Sequence, residues 1–346
     1  MKKVCILFGS SSFEREVSFL TALSVYKNIK KDKYNVSVIG FDKNNNAYKV
    51  DNILDYENKK IDDVFVGKEI IDFFKEIDNI DVFFPLIHGT IGEDGVLQGI
   101  LKFFNKKFVG SGVSASSICM DKRLAKICFK SAGINVVDDV NISKYEFLNI
   151  EKLNAKILDV ENKLNYPVFV KPANMGSSVG ISKAKNRDEF ILSLDKAFLY
   201  DKDVIVEKAI NARELECAVI GNDDIRAMQV GEVIPSKEFY DYEAKYSESC
   251  LSTIEIPAKI DDSLKNTIME LSKKAYKTIG CEGFARVDFL YDIDNDVLYL
   301  NEINTIPGFT KFSMFPILCS NVGLEYSDLI DELIRLAYYE KYWFNN

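Results

Sequence analysis

Two strand patterns near the C-terminus, residues 286–290 and 299–304, constrain the fold more than any other feature of the sequence. Both combine apolar with polar residues, and side chains along a strand point to opposite faces in turn. The residues between them include Asp294-Asn295-Asp296, which is typical of a tight turn. The sequence therefore predicts a β-hairpin, and the chain must contain a sheet that holds it.

This predicted hairpin brings acidic and amide side chains together. A three-residue loop would place Asp288 opposite Glu302 and would also place Arg286 opposite Asn304, whereas an even loop would send Glu302 to the other face. Two carboxylates and an amide oxygen suit Mg²⁺ that also holds phosphates. The alternative from spacing alone is a solvated sheet face with cross-strand charge pairs.

The N-terminal segment has the pattern of an open parallel sheet. An apolar strand at residues 3–8 leads into a Gly/Ser loop, a helix at 14–28 and a second strand at 34–40. Ser11 and Glu14 have the spacing of a capping box, so Glu16 is not needed to cap this helix. Further helices are predicted at 68–77, 122–132 and, after the hairpin, 326–342.

The composition excludes several classes of protein. Of the 346 residues, 47% are apolar and 28% are charged, which is the composition of a globular protein. The net charge of -9 argues against a nucleic-acid binder. The seven cysteines are scattered singly, which favours free thiols in a reducing compartment. Since no apolar stretch is long enough to cross a membrane, we expect a cytoplasmic protein.

Lys171 ends an apolar strand and is followed by the Gly/Ser-rich residues 172–180. A lysine beside such a loop can offer one charge and several backbone N–H groups to a triphosphate. The spacing is not that of a P-loop. The alternative is a flexible surface loop.

His88, the only histidine, begins the motif His88-Gly89-Thr90-Ile91-Gly92-Glu93-Asp94-Gly95 at the end of a predicted strand. Ligands of open sheets bind beyond the carboxyl ends of strands. His88 is therefore either a ligand-binding residue or a hydrogen-bonded structural one.

Read together, these segments resemble the D-alanine–D-alanine ligases of the ATP-grasp superfamily. The resemblance is carried, in family order, by residues 9–18, 88–99, 110–122, 171–180, 206–208, 239–246, 286–288 and 301–313. It implies an α/β fold with mixed α+β character, in which an N-terminal open parallel-sheet domain precedes an ATP-grasp fold. The implied domains are residues 1–113 for substrate, 114–209 for the central ATP-grasp unit, and 210–346 for the C-terminal unit with the metal site. Residues 236–253 are expected to form a lid over the substrates.

The resemblance also implies a role for each matching residue. ATP would be bound by Lys122, Lys171, Glu207, Lys208, Ile210 and Glu214. Two Mg²⁺ or Mn²⁺ ions would be held by Asp288, Glu302 and Asn304. Reaction at the first substrate would involve Glu16, linked to Ser177 and Tyr246, together with Arg286 and the Gly308 N–H. Substrate-binding residues would be His88, Lys245, Ser313 and Met314.

The implied reaction is the ATP-dependent ligation of two D-alanines through a D-alanyl phosphate, for peptidoglycan precursor synthesis. The partners would be small molecules, with no nucleic acid and no membrane, in a cytoplasmic homodimer. Alternatives are a D-alanine–D-serine ligase, another ATP-grasp carboxylate–amine ligase, and a catalytically silent nucleotide-binding protein. The Glu-Ala-Lys-Tyr sequence at 243–246 and the apolar Met314 favour D-alanine as the second substrate.

Overall fold

The structure is a computed structural model and describes residues 1–234 and 253–340. Its strands are β1 Lys2–Gly9, β2 Tyr34–Phe41, β3 Ala47–Lys49, β4 Val82–Pro85, β5 Lys107–Phe108, β6 Asp139–Ser143, β7 Val168–Pro172, β8 Ser182–Ala184, β9 Asp203–Lys208, β10 Ala212–Ile220, β11 Arg226–Ile234, β12 Thr253–Glu255, β13 Phe284–Asp292 and β14 Val297–Asn304. Its α-helices in the described residues are α1 Arg15–Asn28, α2 Phe73–Glu76, α3 Val96–Phe103, α4 Val113–Met120, α5 Lys122–Ser131, α6 Lys144–Phe147, α7 Ile150–Lys163, α8 Arg187–Ala197, α9 Asp262–Ile279, α10 Met314–Asn321 and α11 Tyr326–Arg335.

The N-terminal sheet has the strand order β3-β2-β1-β4-β5. Strand β1 runs parallel to β2 and β4, and β5 runs parallel to β4, which confirms the predicted open parallel sheet. The short strand β3 is antiparallel to β2 and closes one edge. The carboxyl ends of β1 and β4 therefore lead to the loops at residues 9–14 and 86–95, where a parallel sheet presents its ligands.

The start of α1 differs from the prediction. The helix begins at Arg15 with Glu14 as its N-cap, and no side chain caps it. The Ser11 N–H donates to Asn45 at 2.9 Å, and the Ser12 hydroxyl accepts from the Glu14 N–H. The capping box predicted from Ser11 and Glu14 is therefore wrong, because the helix starts too late for Ser11 to reach it.

Two other predicted helices are shorter than their patterns suggested. The region 68–77 contains only α2 and part of the 3-10 turn Ile77–Asn79. The last helix ends at Arg335 and continues as a π-helical turn, Leu336–Glu340. Both patterns are amphipathic, but periodicity alone does not fix where a helix stops.

The central sheet has the order β6-β9-β7-β8 and is antiparallel throughout. Strand β7 carries Lys171 and its neighbour β9 carries Glu207, with Phe169 directly opposite Glu207. Lys171 and Glu207 are thus diagonal neighbours on adjacent strands, within reach of each other's long side chains.

The C-terminal sheet has the order β12-β11-β10-β13-β14. In its hairpin β13–β14, Asp288 pairs with Glu302 and Arg286 pairs with Asn304, so the predicted pairing is confirmed. The predicted loop length is wrong. Asp292 pairs with Val297, which leaves the four residues 293–296 in the loop.

A β-bulge reconciles the even loop with the predicted pairing. Phe289 pairs with Leu300 while Asp288 pairs with Glu302, so the register shifts between Asp288 and Phe289, and Asn301 is one extra residue in β14. An extra residue reverses the face of every residue after it. The bulge therefore returns Glu302 and Asn304 to the face that the four-residue loop would have reversed.

The helices α4 and α5, which precede the central sheet, contribute to a core that lies beneath the C-terminal sheet. Ala115 and Cys119 of α4 and Phe129 of α5 are buried in the core beneath the C-terminal sheet. The core of the central sheet is formed separately, by residues between Val140 and Val206. This places Lys122, at the start of α5, between the two sheets.

The described residues include six free cysteines, five of them buried, and Cys250 lies outside the described part. Among residues 1–234 and 253–340, no helix has both the length and the apolar character required to cross a bilayer.

Candidate active site

Two adjoining cavities lie where the three sheets approach one another. The first, the Glu14 cavity, has a volume of about 280 Å³ and is lined by most of the residues predicted for the substrates: His88, Ser177, Arg286, Gly308, Ser313 and Met314. The second, the Lys171 cavity, has a volume of about 240 Å³ and is lined by all residues predicted for ATP: Lys122, Lys171, Glu207, Lys208, Ile210 and Glu214. Lys122, Ser177, Glu216, Arg286 and Glu302 line both cavities. A ligand in one cavity is therefore next to a ligand in the other.

The acid that faces the Glu14 cavity is Glu14, whereas Glu16 was predicted. The Glu14 carboxylate accepts a hydrogen bond from the Ser177 hydroxyl and lines the cavity. Glu16 is exposed, and its carboxylate accepts from the Ile61 N–H at 3.4 Å. Two residues along a helix differ by about 200° in direction, so only one of these acids can face the cavity. The predicted link of Glu16 to Ser177 is therefore wrong.

Two glycines make room for the Glu14 carboxylate. A Cβ added to Gly89 would lie 2.5 Å from Glu14 Oε2, and one added to Gly176 would lie 2.9 Å from the same atom. A larger residue at either position would force the Glu14 carboxylate to move. Gly89 also has φ +73°, which favours glycine on conformational grounds.

His88 is buried and has both ring nitrogens bonded to protein groups. Nδ1 lies 2.9 Å from the Ile306 carbonyl oxygen, and Nε2 lies 2.9 Å from the Thr21 hydroxyl. Since a carbonyl can only accept, Nδ1 carries the proton and Nε2 accepts from Thr21. Burial lowers the pKa of His88, although the nearby charge of Glu14 opposes this. His88 is thus a neutral residue that orders the cavity wall.

Glu93, which the sequence did not single out, holds the same wall from the other side. Its carboxylate accepts from the Gly89 N–H at 2.8 Å and from the Ile306 N–H at 3.4 Å. His88 and Glu93 together bind both backbone polar groups of Ile306. The segment before Gly308 is therefore fixed by the motif that begins at His88.

Arg286 lies between two carboxylates on the floor of the site. Its guanidinium donates to Asp288 at 2.7 and 2.8 Å and contacts Glu216 Oε2 at 2.9 Å. Burial alone would lower the pKa of Arg286, but the charges of Asp288 and Glu216 raise it well above its ordinary value. Glu216 was missed, because its position opposite Asp288 depends on the antiparallel pairing of β10 with β13, two strands that are distant in the sequence.

The predicted metal-binding side chains converge on this floor. The Asn304 amide nitrogen donates to Asp288 Oδ2 at 2.8 Å, and Glu302 is the cross-strand partner of Asp288. Among the described residues, no group of three or more His, Cys, Asp and Glu could hold a metal ion. The predicted set differs from such a group in having two carboxylates and one amide. Turning the Asn304 amide over would present its oxygen, so the donor chemistry fits a hard cation.

The Lys171 cavity contains a buried charge cluster. Lys171 Nζ lies 2.5 Å from Glu207 Oε2, and Lys126 Nζ contacts Glu207 Oε1. Burial would raise the pKa of Glu207, but the charges of Lys126 and Lys171 outweigh it and hold the pKa well below its usual range. Lys122 Nζ donates to the Met175 carbonyl oxygen at 2.6 Å beside the same loop. Lys126 was missed, although it lies one helical turn after Lys122.

The loop after β14 and the start of α10 form the far wall of the Glu14 cavity. Ser313 is the N-cap residue of α10, and its hydroxyl lies 2.8 Å from the Thr310 hydroxyl. Gly308 approaches it closely, since a Cβ there would lie 3.2 Å from Ser313 Oγ. Lys245, Tyr246 and the proposed lid up to residue 252 lie outside the described residues.

This combination of fold and site defines an ATP-grasp ligase. The central and C-terminal sheets enclose a lysine-lined cavity, and a parallel-sheet unit contributes a carboxylate to the adjoining one. The family model described as "D-ala D-ala ligase N-terminus" matches residues 3–111, and the model "D-ala D-ala ligase C-terminus" matches residues 128–335. The chain belongs to the D-alanine–D-alanine ligase family.

Individual relatives agree with this assignment. The chain is 46% identical to D-alanine–D-alanine ligase B of Clostridium tetani, over 97% of this chain and 93% of the relative. It is similar to the solved D-alanine–D-alanine ligase of Coxiella burnetii, with a TM-score of 0.85, 33% identity, and 97% and 94% of the two chains covered. It is also similar to the VanG D-Ala:D-Ser ligase of Enterococcus faecalis, with a TM-score of 0.82, 35% identity, and 97% and 99% covered.

Proposed function

We propose that the protein joins two D-alanines to D-alanyl-D-alanine, for peptidoglycan precursor synthesis, in a reaction driven by ATP. The observation that carries the proposal is the contact between the two cavities at Arg286 and Glu302. An amino acid anchored by its ammonium group at Glu14 would direct its carboxylate towards these residues. A nucleotide held by Lys122 and Lys171 would direct its terminal phosphate to the same place.

In the first step, the carboxylate of the first D-alanine attacks the γ-phosphate of ATP, and the acyl phosphate and ADP form. A free carboxylate is a poor acylating agent, so this step supplies both the driving force and the leaving group. Lys122 and Lys171 stabilise the transferring phosphate with their charges. Glu14 holds the first ammonium group, and Ser177 orients Glu14 through their hydrogen bond.

In the second step, the free amine of the second D-alanine attacks the acyl phosphate carbonyl and expels phosphate. Negative charge develops on the carbonyl oxygen, and Arg286 together with the Gly308 N–H would stabilise it. Ser313 and the thioether side chain of Met314 line the side of the cavity where the second substrate would lie.

Asp288, Glu302 and Asn304 would hold Mg²⁺ or Mn²⁺ in this scheme, two ions by analogy with the family pattern. Such cations neutralise the charge of the phosphates. The support for this is the convergence of hard oxygen donors on paired strands beside the Lys171 cavity.

The test supplies ATP, Mg²⁺ and an equal mixture of D-alanine, D-serine and D-lactate to the purified protein, and the products are separated by chromatography. We expect chiefly the alanine dimer, because Val233, Ile254 and Met314 give the second-substrate side an apolar lining. A dominant D-alanyl-D-serine product would instead establish the serine ligase. If the protein released no ADP in response to D-alanine, that result would contradict the ligase proposal altogether.

We also propose a cytoplasmic homodimer. The cytoplasmic location follows from the supply of ATP that the reaction needs. Light scattering during size-exclusion chromatography would measure the mass in solution, where one chain has 39.3 kDa. A mass of a single chain at micromolar concentration would contradict the dimer.

A further inference from the structure

Lys126 is a buried lysine that lies behind the nucleotide residues rather than among them. It belongs to α5, its side chain is 3% exposed, and it is not among the residues that line the Lys171 cavity. Its ammonium group donates to the Val137 carbonyl oxygen at 2.8 Å and contacts Glu207 Oε1. Burial of a lysine is unfavourable unless its charge is paired, and the contact with Glu207, with Asp139 Oδ1 farther away at 3.6 Å, compensates the charge of Lys126.

Glu207 is shared between two lysines, and each of its oxygens contacts a different one. Lys126 contacts Oε1, while Lys171, which does line the cavity, lies 2.5 Å from Oε2. These three residues carry two positive charges and one negative charge, and Asp139, 3.6 Å from Lys126, lies closer to Lys130 at 2.7 Å. Lys171 is the member on the cavity side, where an anion can use its charge.

The second lysine changes what an incoming phosphate must overcome. If Lys171 were the sole partner of Glu207, the two would form a neutral buried pair. Removing Lys171 from that pair would leave a buried carboxylate uncompensated, which is strongly unfavourable. With Lys126 present, Glu207 keeps a charged partner when Lys171 turns to a phosphate.

We propose that Lys126 is a positioning residue for nucleotide binding, which holds Glu207 so that Lys171 can exchange a carboxylate for a nucleotide phosphate. This inference rests on the proposed function, because it takes the Lys171 cavity as the ATP site. Lys126 touches neither the nucleotide nor the reacting atoms. Its effect is on the affinity for ATP and not on the chemical steps.

The same helix provides a matched control. Lys130 lies four residues after Lys126, and its ammonium group is 2.7 Å from Asp139 Oδ1. Lys126 lies 3.6 Å from the same oxygen. K130M therefore removes a lysine from α5 and from Asp139 without changing a contact of Glu207.

The experiment compares ATP binding and turnover for the full chain and for K126M, K126R and K130M. Equilibrium binding of ATP in the absence of D-alanine gives the dissociation constant, and steady-state rates give KM and kcat. For K126M we expect about tenfold weaker ATP binding and a similar rise in the ATP KM, since a hydrogen bond between charged groups is lost. We expect kcat to stay within about twofold, K126R to recover most of the affinity, and K130M to behave like the unmodified protein.

A double variant separates this role from a general loss of structure. Because Glu207 itself lines the ATP cavity, K126M/E207Q is compared with E207Q and not with the unmodified protein. With the carboxylate gone, Lys126 has no charge to share with Lys171, so we expect K126M to weaken ATP binding by less than about twofold on this background. An equal loss of affinity on both backgrounds, unchanged affinity in K126M, or a fall in kcat without a change in ATP affinity would each overturn the inference. Absence of ATP binding by the unmodified protein would instead contradict the nucleotide site itself.

Discussion

The Glu14 carboxylate accepts a hydrogen bond from the Ser177 hydroxyl, so the first loop of the N-terminal sheet is joined to the loop that follows β7. Gly176 allows this contact, because a side chain there would displace the Glu14 carboxylate. The acid that would bind the first substrate is thus oriented by the loop beside the ATP site. We therefore expect substrate and nucleotide binding to be coupled through this contact.

Glu14 and Glu16 give the first prediction. E14Q removes the charge that would pair with the substrate ammonium group, and we expect kcat/KM for D-alanine to fall by about 100-fold, as for loss of one partner of a buried ion pair. E16Q changes an exposed acid on the opposite side of the helix and should stay within about twofold. Steady-state ADP release at varied D-alanine measures both. A larger loss in E16Q than in E14Q would reverse the assignment.

The proposed metal-binding role of Glu302 gives the second prediction. E302Q keeps the size of the side chain but removes the charge, so we expect the Mg²⁺ concentration for half-maximal activity to rise by about tenfold or more. D296N is the control, because Asp296 lies in the hairpin loop and accepts from the Tyr291 hydroxyl. Titration of ADP release with Mg²⁺ distinguishes the two. Identical Mg²⁺ curves for E302Q and the unmodified protein would exclude Glu302 as a ligand.

The hairpin shows both what the sequence could predict and where it failed. The pairing of Asp288 with Glu302 follows from the period of two residues along a strand, and it was predicted correctly. The loop has four residues instead of three, and the bulge at Asn301 compensates for it. The fourth loop residue and the bulge each reverse the face of the residues beyond them, so together they give the same pairing as a three-residue loop without a bulge. Side-chain alternation alone therefore cannot distinguish the two arrangements.

The choice between Glu14 and Glu16 failed for a different reason. Their separation of two residues guarantees that only one faces the site, but the sequence does not say which. That depends on where α1 begins, and Ser11 suggested a start that the loop geometry does not permit. Lys126 and Glu93 were missed because their partners, Glu207 and Ile306, are distant in the sequence.

Glu93 gives a prediction about stability and pH. Burial, reinforced by the charge of Glu14, raises the pKa of Glu93 from 4.5 to about 8. A raised pKa means that the folded protein binds this proton more tightly than the unfolded chain does. The contribution of Glu93 to the free energy of unfolding is therefore fully present below about pH 4.5 and is lost as the pH rises towards 8.

The variant E93Q tests this, because glutamine resembles the protonated acid and does not titrate. We expect the free energy of unfolding of the unmodified protein to fall relative to that of E93Q between pH 5 and pH 8. Urea unfolding of both proteins at several pH values gives the difference. Parallel curves would show that Glu93 is ionised in the folded state throughout this range.

Gly231 gives the last prediction, on the size of the second-substrate side. A Cβ at Gly231 on β11 would lie 2.8 Å from Met314 Sδ and 3.0 Å from Leu318 Cδ2. Since Met314 is flexible and lines the Glu14 cavity, G231A should displace its side chain into the cavity. We expect the KM for D-alanine as second substrate to rise about fivefold, with the ATP KM unchanged. The reason is that overpacking a well-packed wall costs about 1 kcal/mol or more.

The matched control for G231A is G99A. Gly99 lies in α3, where an added Cβ meets nothing within 4 Å, so the same substitution should leave the kinetics unchanged and stabilise the helix by about 0.5–1 kcal/mol. D-alanine saturation curves for both variants decide the matter. If G231A and G99A have the same D-alanine KM, Met314 can move away from the cavity, and Gly231 does not set the size of the second-substrate side.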